Sequence, residues 1–174
     1  MAEDIDAEDT DEGAAPEEDL LHGVPAREAF GQTVLFVHAE SYLDLFGELL
    51  SDGFQQVVDL CGVDYLNHVR SDLPASVDPE RFEVVINMIS HIRRERIRVR
   101  CQVADGASVP SLFDMFPGTE AMEREAFDMF GIGFDEHPDL SRILMPETWN
   151  GFPLRKDFDV GRIPVQFKGA PGRS

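Results

Sequence analysis

Two glutamates one residue apart, Glu123 and Glu125, and the run Asp135-Glu136-His137-Pro138-Asp139 are the residues whose types and spacing could do chemistry. Paired carboxylates serve general acid–base catalysis when both reach one substrate. At 100° per helical residue, positions 123 and 125 point about 200° apart, so they cannot form a close pair. The acid–histidine run offers oxygen and nitrogen ligands and supports one enzyme-class reading, a stand-alone metal hydrolase centred on His137. No second histidine lies four residues away and Pro138 restricts the geometry, which favours a loop capped by Asp139. Gly131-x-Gly133 follows a helix instead of a strand and lacks the third glycine of a dinucleotide loop. There is no phosphate loop, Gly-x-Ser-x-Gly or CxxC pair, and His22, His38, His68 and His91 are scattered. The arginine row Arg96, Arg98 and Arg100 reads first as a solvated strand face, and second as a docking face for an acidic partner. On these residues the chain is a binding subunit.

The elements that must position these groups follow from periodicity. Residues 28–31 are read as the end of a short helix. Thr33–Ala39 is β-branched and aromatic, hence a strand. Ser41–Ser51 repeats apolar residues at helical spacing (Tyr42, Leu45, Phe46, Leu49, Leu50), with Ser41 and Asp44 as a capping box and Gly53 as its stop. Phe54–Leu60 is a second strand, and Gly62–Pro79 is a loop. Glu80–His91 and Glu95–Ala104 form an antiparallel pair. In the second of these Ile97, Val99, Cys101 and Val103 share one face and the arginines the other. Ser108 is read as the cap of a short helix, and Thr119 as the cap of one reaching Gly131; from Ile132 onward the chain is extended or coiled. The fold class is α+β, a small mixed or antiparallel sheet packed with helices.

On the helix that ends at Gly131, Met122, Ala126, Met129 and Phe130 fall on one arc, with Arg124, Glu125 and Asp128 opposite. Arg124 and Asp128, four apart, can pair. Glu123 points into the apolar arc, where an ionised carboxylate requires a partner. Arg142 or a strand arginine is the candidate.

The formal charge of −19 is uneven. Residues 1–19 hold ten acids and no Lys or Arg, which predicts a disordered acidic leader and excludes a basic-then-apolar secretory signal. From Arg155 onward, five bases outnumber two acids. No run approaches the ~20 apolar residues of a membrane helix, and the acidic body disfavours nucleic-acid backbones. Two cysteines without metal spacing, Cys61 and Cys101, suit a reduced cytoplasmic protein. The chain thus divides into a leader (1–19), an α+β domain (20–131) and a C-terminal docking arm (132–174).

The run Glu123-Arg-Glu-x-Phe-Asp-Met-Phe-Gly-Ile132, His137-Pro-Asp-Leu140, Arg142-Ile-Leu-Met-Pro146 and Gly151-x-Pro-Leu-Arg-Lys-Asp157 together resemble the 30 kDa (or C) subunit of NADH-quinone oxidoreductase, respiratory complex I. Val109-Pro-Ser-Leu112, Phe116-Pro-Gly118 and Arg81-Phe-Glu-Val-Val85 match as well, so the resemblance covers roughly 53–157. Ala121 and Phe127 depart from it, standing where relatives commonly carry Trp and frequently Tyr.

The resemblance implies a peripheral subunit on the cytoplasmic side of the cell membrane, without catalytic residues, cofactor or metal of its own. Its arm would wrap the large (D) subunit, with the B and I subunits as neighbours. FMN, iron–sulfur clusters and quinone would belong to partner subunits of a proton-translocating machine. A hydrogenase- or ferredoxin-linked membrane complex is the alternative within the same family. The residues expected to build the motif and interface are Glu123, Arg124, Glu125, Asp128, Phe130, His137, Arg142, Leu144, Trp149, Arg155, Lys156 and Asp157. Charges at Glu123, Arg142, Arg155 and Asp157 would fix the arm, while Phe130, Leu144 and Trp149 would anchor it to the partner.

Overall fold

Alternation of buried and half-buried residues along two nine-residue strands sets the architecture of the protein, described here from a computed structural model over residues 18–159 and Gly161. The expected acidic leader, save its last two residues, and the arm beyond Gly161 lie outside the described residues. Strands β1 (Leu20–Leu21), β2 (Val24–Ala29) and β3 (Gln32–Val37) form two tight hairpins, and α1 (Tyr42–Ser51) follows. Next come β4 (Gln56–Asp64), β5 (Phe82–Ser90), β6 (Glu95–Val103) and a short β7 (Ser108–Pro110). Helix α2 (Glu120–Phe130) and β8 (Gly133–Asp135) complete the set. The six-stranded sheet has the order β1-β2-β3-β6-β5-β4, with β3 and β6 parallel and the other pairs antiparallel. The β7 and β8 strands pair in parallel as a separate ribbon. The mixed α+β class read from the sequence is the observed one.

The core lies on the helix-covered side. Phe82, Val84, Ile86 and Met88 of β5 and Ile97, Val99, Cys101 and Val103 of β6 are all buried there, as their alternation predicts. Helix α1 closes this core with Tyr42, Leu45, Phe46 and Leu49. Leu50, expected on that face, is instead on its exposed margin.

Several local expectations are corrected. Residues 28–31 are not helical: β2 runs to Ala29 and turns through Phe30 and Gly31, both at positive φ, a two-residue hairpin. The Ser41–Asp44 capping box does not form, because the chain enters α1 from a 3-10 turn at Ala39–Ser41 and Ser41 makes no side-chain cap bond. Thr119 likewise caps α2 in position only, following a 3-10 turn at Pro117–Thr119. Ser108 starts strand β7, not a helix: Val109 is buried opposite Phe134, and tertiary pairing overrides the Ser-x-Pro helix-start signal. Strand β4 continues four residues past Leu60, to Asp64, and β8 interrupts the coil expected after Ile132.

The outer sheet face is not simply solvated. Glu83, fully buried, accepts from Arg100 Nε at 2.7 Å, from Arg70 at 2.8 Å and from Gln102. Asp72 pairs with the same two arginines, whose guanidinium groups hold its carboxyl far below the ordinary carboxylate range. One end of the arginine row is therefore matched by acids of the same chain.

Candidate functional site: an arm fastened over the second helix

Helix α2 carries two fully buried carboxylates on different sides, Glu123 and Asp128. Glu123 faces the core. Its Oε1 accepts the Leu112 N–H at 2.8 Å and its Oε2 the Ser111 hydroxyl at 2.5 Å. His137, its side chain fully buried, lies 3.9 Å from the same Oε2. Burial and the need for partners are as the helical arc predicts, but the cation does not come from Arg142 or a strand arginine. The β7–α2 connection supplies a hydroxyl and a backbone N–H instead, because β7 pairs with β8 directly over this helix face.

His137 is a joint, not a ligand. Its Nδ1 accepts the Asp139 N–H at 3.1 Å, which leaves Nε2 as the donor to the Glu120 carbonyl at 3.2 Å. Neither ring nitrogen has a lone pair left for a metal. Among the described residues, no group of three or more His, Cys, Asp and Glu side chains is placed to hold one. Asp139 caps the loop as expected, accepting the Ser141 N–H at 3.2 Å.

Asp128 is the residue that periodicity misplaces. Expected on the solvent side in a pair with Arg124, it is sealed under residues 142–145. Its Oδ2 accepts three successive N–H groups, from Ile143 (3.1 Å), Leu144 (2.8 Å) and Met145 (2.8 Å). Its Oδ1 takes the Arg142 guanidinium at 2.5 Å. Burial pushes this carboxyl up, but the Met145, Leu144 and Ile143 N–H groups and Arg142 outweigh it and hold the group below the ordinary carboxylate range. Three N–H donors curled around one oxygen form an anion nest, with the anion supplied by the helix. Arg124 turns to the same segment, donating to the Ser141 carbonyl at 3.1 Å and the Arg142 carbonyl at 3.2 Å. Of the motif charges on α2, Glu125 alone stays exposed.

A second fastening lies at the C-terminal end of α2. The Leu154 N–H donates to the Met129 carbonyl and Arg155 Nε to the Phe130 carbonyl at 2.6 Å, satisfying end carbonyls that the helix leaves open. Arg155 also reaches Asp105 at 3.0 Å. The Lys156 N–H donates to Asp64 at 2.8 Å, and Lys156 Nζ lies 3.4 Å from the Leu66 carbonyl. Asp157 accepts from Arg81 at 2.7 Å, and that arginine binds Asp64 and Asp105 too. Arg81 holds Asp157 below the ordinary range. At Asp64 burial acts upward, but Arg81 and the Lys156 and Leu66 N–H groups prevail and lower it.

The glycines make the close approach possible. A side chain on Gly131 would place Cβ 2.5 Å from the Phe152 ring and 2.8 Å from Arg155, and its φ is +75°. Gly62 of β4 lets Phe130 lie across it, with an added Cβ only 2.7 Å from that ring. Phe130 therefore packs inside this chain. Trp149 is half-buried and stacks on Phe158 with ring centroids 6.3 Å apart. Leu144 is exposed, as are Ile143 and Leu154 on the same arm. Phe127 meets Phe152 edge-on and Ala121 faces solvent. Asp64, Arg81, Asp105 and Ser111 complete the arrangement; Arg81 and Ser111 lie in segments that match the family, but the pairing of all four with the arm or α2 appears only in the fold.

Comparison with known proteins identifies the pattern. The family model described as "Respiratory-chain NADH dehydrogenase, 30 Kd subunit" matches residues 35–163. A curated NADH-quinone oxidoreductase C subunit from Phenylobacterium zucineum (strain HLK1) is 42% identical over 141 residues, covering 80% of this chain and 63% of the relative. The corresponding protein from Sinorhizobium medicae (strain WSM419) is 39% identical over 79% of this chain and 66% of its own. The chain thus spans a little under two thirds of these two relatives. A solved trypsin-resistant fragment (1-134) of Nqo5 superposes with a TM-score of 0.60 at 29% identity, covering 68% of this chain and 90% of that one. A chain of the membrane-bound sulfane sulfur reductase, an archaeal respiratory membrane complex, shares the fold alone, with a TM-score of 0.65 at 20% identity over 87% and 90%. The family model and the curated relatives agree on one assignment: this chain belongs to the 30 Kd subunit family of the respiratory-chain NADH dehydrogenase.

Proposed function

We propose that this chain is the docking subunit of a proton-translocating NADH:quinone oxidoreductase, held on the cytoplasmic side of the membrane through its partners. The carrying observation is the arm. Its polar groups turn inward onto α2 and the strand ends, while Ile143, Leu144 and Leu154 remain exposed at 41%, 59% and 54%. Large apolar side chains held outward on a rigidly bonded segment suit a protein partner. The large (D) subunit is that partner, with the B and I subunits beside it, and FMN, iron–sulfur clusters and quinone reside in other subunits. The chain's two cysteines, Cys61 exposed and Cys101 buried, are fewer than the four thiolates of a common iron–sulfur cluster, which supports a chain without its own redox centre. No helix among the described residues is long and apolar enough to cross a membrane, which fits attachment through other subunits.

Affinity purification of the tagged full chain from native membranes tests this. The expected product contains a flavin and iron–sulfur assembly that oxidises NADH with quinone. Recovery of the chain alone, or within a complex that accepts only hydrogen or ferredoxin electrons, would overturn the proposal.

A further inference from the structure

Helix α1 buries one face against the core and turns the other to solvent. At about 100° per residue, Leu43 and Leu50 line one margin of the outer face, Asp44 and Glu48 the opposite one, and Gly47 and Ser51 the strip between them. The two leucines are 41% and 36% exposed. Gly47 is the anomaly. Glycine in a helix interior is unfavourable relative to alanine, yet a Cβ added there would meet nothing within 4 Å and the backbone is ordinary helix, so no contact inside the chain requires it. The Ser51 hydroxyl folds back onto the Gly47 carbonyl at 2.9 Å. The strip is therefore a low-floored trough, and a glycine in it admits a second helix at the short end of the usual axis separation of about 8–10 Å.

Charge specifies the occupant. No Lys or Arg occurs between Arg27 and Arg70 in the sequence. Two clefts meet at Leu43, one lined by Asp44, Gly47 and Glu48, the other, of about 140 Å³, by Met115, Asp114 and Glu136; neither is lined by a Lys or Arg. The carboxylates of Asp44, Asp114 and Glu136 have no hydrogen-bond or ion-pair partner among the described residues. The basic groups that reach this face stand at the C-terminal end of α1, where His22 lies 3.1 Å from Glu48 and 3.3 Å from Asp52, and Arg93 3.6 Å from Asp52. We infer that the outer face of α1 docks a basic amphipathic helix of a protein partner. Its apolar stripe lies on Leu43, Leu50 and Met115, and its Lys or Arg residues meet Asp44, Glu48, Asp114 and Glu136. The leucines are seven residues apart, about 10 Å along the axis, so about two turns of the partner suffice. None of the arm's exposed apolar residues takes part, which makes this surface separate from the one in the docking proposal.

Fluorescence anisotropy of a labelled synthetic helix titrated with the intact chain tests this. The probe has about 14 residues, with two leucines seven apart and lysines on both sides of them. Gly47→Gln is the informative variant, because it fills the trough, keeps the net charge and installs a better helix former. Its urea midpoint should equal or exceed the parent's. Saturable binding to the parent is expected, weakened at least about tenfold by Gly47→Gln and by Asp44→Lys, and lost when glutamates replace the lysines of the probe. No saturable binding to the parent would overturn the proposal. Equal affinity of parent and Gly47→Gln would do the same, since a general attraction between an acidic chain and a basic peptide survives that change. A dimer of the parent that Gly47→Gln dissociates would also overturn it, because the face would then take a second copy of this chain.

Discussion

Asp128 and Glu123 are both buried acids on α2, yet they carry different loads. Asp128 joins the arm to the helix through one guanidinium and three N–H groups, so removing its charge strands Arg142 and the nest together. Asp128→Asn is expected to destabilise the chain by about 3–5 kcal/mol, the usual cost of breaking a buried pair. Urea denaturation should show the loss, and Trp149, the only tryptophan, should shift its emission as the arm loosens. Glu123→Ala leaves the Leu112 N–H and Ser111 hydroxyl unsatisfied and should cost about 2–3 kcal/mol, against about 1 kcal/mol for Glu123→Gln, which keeps one acceptor. The acid dependence has a definite sign. Asp128, Asp64 and Asp157 have folded-state values below the ordinary one, so their contribution is present above the unfolded carboxylate pKa of about 3.9 and lost as pH falls through the lower values. Trp149 emission should hold steady from pH 7 to about 4.5 and change only on further acidification. Arm release at pH 5–6 would contradict this assignment. Glu123's burial was legible in the helical arc. The burial of Asp128 was not, because a hydrophobic period tells where the core is and cannot show that a polar segment covers the opposite side.

Between elements, α2 is held on both flanks, by the sheet and β7–β8 on one and by the arm on the other. Gly131 is the hinge of this arrangement, since its left-handed φ ends the helix and its missing side chain admits Phe152 and Arg155. Gly131→Ala is expected to strain the turn and push the arm outward, at about 1–3 kcal/mol. Hydrogen exchange at the Ile143, Leu144 and Leu154 amides should accelerate while that of β5 and β6 stays slow. Those two strands were readable because strict alternation leaves little choice of face. The β2–β3 turn and β7 were misread because short segments take their state from strand partners far off in sequence: β7 has no reason to be extended until Phe134 and Gly133 arrive beside it.

At the scale of the whole molecule, the described part of the arm, to Asp159, is bonded to the domain, so the proposed partner would meet a preformed surface there. Removing residues from 140 onward also removes the N–H donors to Asp128, the Lys156 N–H donor to Asp64 and the Asp157 carboxylate that accepts from Arg81. Surface substitutions separate docking from folding more cleanly. The linked motifs over 123–157 made the family legible from sequence. Which apolar residues face outward became apparent only in three dimensions, because Phe130 and Leu144 look alike until Gly62 takes one of them inside. The measurement that tests the central claim most directly is assembly of the variant Ile143→Asp, Leu144→Asp and Leu154→Asp, expressed in place of the parent chain. Its urea midpoint and Trp149 emission should match the parent, since these positions are exposed. It should nevertheless fail to co-purify with the membrane complex, reducing recovered NADH:quinone activity at least about tenfold. A folded variant that assembles as well as the parent would contradict the docking role of the arm.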